Sequence, residues 1–101
     1  MTEIEIQKQI ITFLKHKNIF HWRYNNMPTR KRSYSVMKGV SDIIALIGGK
    51  MICIEVKTPK GKQSPHQVEF QKNIESNGGY YFTVISIENL CDNLRNILYY
   101  A

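Results

Sequence analysis

Cysteine is scarce in this chain, with Cys53 and Cys91 its only two thiols. Two cysteines without metal-ligand spacing exclude a disulfide framework and a zinc module, and they suit reduced thiols in a cytosolic protein. Proline occurs three times and glycine six, too rarely for a low-complexity chain, and no internal repeat is visible. No apolar run approaches the roughly 18 residues that span a bilayer, so no membrane partner is expected. The opening Met-Thr-Glu-Ile-Glu-Ile lacks the basic and apolar regions of a secretory signal. Acid is the scarcer charge: 8 Asp and Glu stand against 14 Lys and Arg, a formal net charge of +6. That balance points to polyanionic partners, nucleic acid above all.

What remains is ordinary globular composition, 43% hydrophobic over 101 residues, which implies one domain covering 1–101 with one modest core. Thr2 and Glu5 have the form of a capping box opening a helix to about Lys17, with Ile6, Ile10, Phe13 and Leu14 at helical spacing. The aromatic-rich segment Ile19 to Tyr24 reads as a strand whose aromatics belong to the core, broken by Asn25-Asn-Met-Pro-Thr. Thr29 to Lys38 reads as a basic loop. Two apolar runs, 42–47 and 50–57, flank Gly48-Gly49 and read as a β-hairpin with both faces covered. Ser64, Pro65 and Gln67 then mark a helix start, and Asn77-Gly78-Gly79 marks its end. Tyr80 to Ile85 is a strand, and Ser86 caps a last helix to about Leu98. The expected fold is α/β in the order α-β-β-β-α-β-α, a mixed sheet flanked by helices. The strands around the second helix should be parallel, with a right-handed crossover.

The hairpin carries the chemistry. If Gly48-Gly49 is a two-residue turn, Ile47 pairs with Lys50 and outward pairing sets Asp42 opposite Glu55; a longer loop, shifting the register by one, would put Asp42 on the other face. Alternation along the strand turns Glu55 and Lys57 to the same face. Facing carboxylates destabilise a sheet by an amount on the order of 0.2–1 kcal/mol. A divalent cation between them converts the repulsion into ligation. The alternative is a surface ion cluster at a strand end, worth little; the apolar flanks argue against exposure.

Gly39-Val-Ser-Asp42, Ile54-Glu55-Val-Lys57 and Ser64-Pro-His-Gln67, with Glu3-Ile-Glu-Ile-Gln7 on the first helix, resemble motifs of the PD-(D/E)xK nuclease superfamily. Within it they are most similar to the virus-type replication-repair nuclease (VRR-NUC) domain, from about residue 3 to residue 86. The resemblance implies a Mg²⁺- or Mn²⁺-dependent DNA endonuclease with that superfamily's compact core. It implies metal ligation by Asp42, Glu55, the Val56 carbonyl and Glu3, and catalytic roles for Asp42, Glu55, Lys57 and Gln67. No small-molecule cofactor is implied. Stand-alone members tend to be homodimers acting on branched or junction DNA in replication, repair or recombination, which suggests the cytoplasm of a bacterial or phage-infected cell. Ser41 precedes Asp42 where many members carry proline.

Gln67 is equally explained as the second half of a capping box, and Glu3 as a carboxylate favoured by the helix dipole. Arg30, Lys31, Arg32 and Lys38 before Asp42, with Lys60 and Lys62 after Lys57, either form solvated loops or line a groove that tracks phosphates. A non-catalytic nucleic-acid-binding module is the rival reading. A restriction-type nuclease, with base-reading elements, has little room in 101 residues.

Overall fold

Thr2 and Glu5 do close a capping box at the start of α1 (Glu3–His16). Thr2 Oγ1 accepts from the Glu5 N–H at 3.1 Å, and Glu5 Oε1 accepts from the Thr2 N–H at 2.9 Å. The box satisfies donors that every helix start leaves unpaired. It also assigns Glu5 to capping and leaves Glu3 free for another task. The structure, a computed structural model, describes residues 1–24 and 37–100. Arg30, Lys31 and Arg32, and most of the expected basic loop, lie outside the described residues.

The elements that follow are β1 (Phe20–Arg23), β2 (Ile43–Ile47), β3 (Lys50–Val56), α2 (Pro65–Ser76), β4 (Tyr80–Val84) and α3 (Ile87–Tyr100). Their order is the expected one, and they form a mixed sheet in the order β1-β2-β3-β4. The first two pairings are antiparallel and the last, across α2, is parallel. Gly48 and Gly49 hold φ of +56° and +81°, the left-handed pair that a tight hairpin turn requires. Ile47 faces Lys50 and Ile43 faces Ile54, so the expected register holds to the last ladder pair.

Two apolar layers cover the sheet. Ile52, Ile54 and Val56 pack with Ile6, Ile10 and Leu14 of α1 and Leu90 and Leu94 of α3. On the opposite face Ile44, Cys53 and Tyr81 pack with Phe70 and Ile74 of α2. Replacing a fully buried member of the larger cluster, such as Ile10 or Leu14, by alanine would cost about 2–5 kcal/mol. Among the described residues, no helix is long and apolar enough to cross a membrane.

One expectation fails. The β1 aromatics are not core: Phe20 is 67% exposed and Trp22 40%. The reason is topological. β1 is an edge strand, and α2 packs along β4 at the other side of the sheet, so no helix among the described residues covers the β1 side of that face.

Candidate active site

Asp42 sits one residue beyond the last hairpin pair, where the ladder gives way to side-chain bonding. Its main-chain oxygen accepts from the Tyr24 N–H at 3.0 Å. Its Oδ2 accepts from the Val56 N–H at 2.8 Å. The carboxylate thus reaches across the hairpin and is oriented by the backbone of β3. The regular strands accordingly end at Ile43 and Val56, one residue short of the expected 42 and 57. Ile44 and Cys53 lie in the α2-side layer, and strand alternation brings Asp42 and Glu55 to that same side.

Glu55 is only 4% exposed. Its Oε2 accepts from Gln67 Nε2 at 2.8 Å and stands 3.7 Å from Lys57 Nζ. Its Oε1 is buried and, among the described residues, meets no hydrogen-bond donor in good geometry, although the Asp42 N–H lies near the carboxylate. Such an orphan is expensive inside a protein, where buried carboxylate oxygens are almost always paired. Lys57 is anchored from behind, its N–H donating to the Val84 carbonyl at 3.0 Å and carrying the parallel β3–β4 pairing one residue past the strand.

Gln67 turns out to serve both of its alternatives. Its Oε1 accepts from the Ser64 N–H at 2.9 Å, and Ser64 Oγ accepts from the Gln67 N–H at 3.2 Å, closing the capping box of α2. With the amide oxygen engaged by a main-chain donor, the amide nitrogen is left to face Glu55. The cap therefore fixes which end of the amide meets the carboxylate.

The Gly-x-x-Asp lead-in has a steric cause. Gly39 holds φ +79°, and a Cβ there would run into the His66 carbonyl in the first turn of α2. Only glycine lets the segment before Asp42 touch the helix start that carries Gln67. Ser41 is fully buried, and its Oγ donates to the Ile43 carbonyl at 3.2 Å. A local hydrogen bond thus shapes the entry to β2 where proline would do so by ring closure.

Glu3 reaches the same end of the hairpin from α1, its Oε2 accepting from the Thr58 N–H at 3.3 Å. Its charge bears on Asp42, but among the described residues no three Asp, Glu, His or Cys side chains converge tightly enough to hold an ion together. Lys38, Lys60 and Lys62 are exposed. The loop at Gly61 lies against the Lys57 side chain, so Lys60 and Lys62 flank the site.

Tyr81 was not anticipated as a neighbour of the site. It is buried, pairs with Cys53 across β3–β4, and its hydroxyl has no hydrogen-bond partner among the described residues. Gln63 lies near it, but its Nε2 donates to Gln71 Oε1 at 2.8 Å. The parallel register alone could have revealed Tyr81, and that register is not readable from motifs.

Electrostatics single out the carboxylate pair. Burial pushes Glu55 up to about 7, Asp42's charge pushes the same way, and Lys57, Gln67 and the nearby Asp42 N–H oppose both. Asp42 is raised by burial and by Glu3, against the Val56 N–H, Lys57 and Arg23. Burial also pushes the Tyr81 hydroxyl well up, reinforced by Glu55. A buried acid and a half-buried one that each resist ionisation beside the other are short of positive charge.

These groups fit a hard divalent cation. The donors are carboxylate oxygens, Glu55 Oε1 is unpaired, and one or two carboxylates with water and phosphate satisfy Mg²⁺. Compared with known protein families and with curated proteins, the chain finds no match in either.

Proposed function

We propose that the chain is a Mg²⁺- or Mn²⁺-dependent DNA endonuclease with a PD-(D/E)xK core of the VRR-NUC kind. The observation that carries this reading is the buried Glu55, with Oε1 unpaired and Asp42 reaching across the same hairpin end. A buried carboxylate oxygen short of a donor, beside a second carboxylate, is an arrangement that a bound cation would satisfy.

Asp42, Glu55 and the Val56 carbonyl would hold the ion, with Glu3 acting through water. A bound divalent cation lowers the pKa of a coordinated water and polarises the phosphoryl oxygen. Glu55 is held in one orientation by Gln67 and Lys57. Lys57 brings an ammonium to where negative charge builds on the phosphate. The new bond would join a water oxygen to phosphorus as that water loses a proton to solvent, the bond to the leaving sugar oxygen would break, and that oxygen would take up a proton from solvent. Lys38, Lys60 and Lys62, with Arg30, Lys31 and Arg32, would hold flanking phosphates without reading sequence. Branched DNA is the substrate and a homodimer the working form in this reading.

The rival, a binding module without turnover, gains nothing from carboxylates near phosphates. End-labelled four-way junction, flap and duplex are incubated with the protein and Mg²⁺ or Mn²⁺, beside Asp42→Ala and Lys57→Ala. Cleavage by the wild type alone, abolished by a chelator, supports the reading. Equal behaviour of all three proteins rejects it.

A further inference from the structure

The open side of the sheet forms a groove of about 620 Å³ next to the site. Ile44 and Met51 floor it, Trp22 and Tyr24 form one wall, Phe70 forms the other, and Asn73 stands at the rim. We propose that this groove takes an unpaired nucleobase of the DNA strand whose phosphate lies at Asp42 and Glu55. The inference rests on the nuclease reading and names its substrate: DNA with unpaired bases at the cleavage point.

Three observations favour a base over other occupants. The first is position. Ile44 lies two residues from Asp42 along an extended chain, about 7 Å, and on the same side of the sheet. That is the reach from a phosphate to the base of its own or the adjoining nucleotide. The second is chemistry. Aromatic walls with a polar rim suit a flat heteroaromatic ring, and stacking accepts any base. A volume of 620 Å³ is ample for one or two. The third is charge. Lys38 lies on the exposed segment between the lining residues Met37 and Val40. With a net charge of +6, the chain attracts a polyanion. In a paired duplex the bases are stacked inside and do not reach such a groove, so the surface selects for opened DNA.

Trp22 is the only tryptophan, so its emission reports on the groove directly. The Lys57→Ala chain, which keeps both carboxylates, is titrated, with Mg²⁺, with a single-stranded oligonucleotide, an abasic strand of equal phosphate number and a blunt duplex. The expected result is quenching by the base-bearing strand only, with about tenfold tighter binding than the abasic strand; that ratio, read by the anisotropy of an end-labelled strand, falls toward one in Trp22→Ala. Equal binding of base-bearing and abasic strands with unchanged emission overturns the inference, and so does concentration-dependent emission that single-stranded DNA does not displace, the sign of a second copy in the groove. Wild-type cleavage is measured in parallel. If the wild type cuts DNA while the groove fails these tests, the nuclease reading stands alone. If nothing is bound or cut, that reading fails first and takes this one with it.

Discussion

Glu55 concentrates the tension in the molecule: a carboxylate 4% exposed, with one oxygen bonded and the other not. Its proton is held more tightly in the fold, at about 7, than at the ordinary 4.5. Folded protein therefore binds more protons than unfolded protein in that window. The stability this contributes is fully present below about 4.5, falls as pH rises, and is gone above about 7. The cost is roughly 3 kcal/mol. In the metal-free protein, Glu55→Gln should flatten this dependence and raise Tm at pH 8, read by thermal melts across pH. A variant whose melting follows the wild-type pH curve would contradict it. Gly39→Ala makes a second case, since its Cβ meets the His66 carbonyl and its φ is +79°. A loss of about 2 kcal/mol or more is expected by urea unfolding. An unchanged midpoint would show that the loop moves away from α2 without penalty.

At the scale of elements, the start of α2 is where folding and the site share one side chain. Gln67 closes the cap and grips Glu55 at 2.8 Å. Gln67→Glu separates the two tasks, because a capping box accepts glutamate equally while Glu55 does not. The expected outcome is a cap that survives, by helical circular dichroism, with cleavage slowed at least tenfold by like-charge repulsion. Wild-type rates would leave Gln67 a cap and nothing more. Much of this was legible in the chain. Both capping boxes, the Gly-Gly turn and the Asn-Gly-Gly stop are local signals, written within a few residues of where they act. The exposure of Phe20 and Trp22 was not, because it depends on α2 siding with β4, a choice made by packing between distant segments. Tyr81 was hidden for the same reason, since only the β3–β4 register brings it beside Glu55.

For the whole molecule, the sheet sorts its two faces by task. α1 and α3 bury one face against the larger cluster, while the other carries the carboxylates, the smaller cluster and the open groove. The pairing of Asp42 with Glu55 followed from a single assumption, a two-residue turn, and the register from Ile47–Lys50 outward supports it. If all six flanking cations meet phosphates, the logarithm of DNA affinity should fall with the logarithm of salt with a slope of about −5. A slope near zero would remove the groove of cations from the account. The central claim is that Asp42 and Glu55 together hold a divalent ion. Titrating metal-free protein with Mn²⁺, read by electron paramagnetic resonance, tests it without DNA. Saturable binding by the wild type, lost in Asp42→Asn and in Glu55→Gln, is the predicted result; identical binding by all three, or none by the wild type, would contradict it.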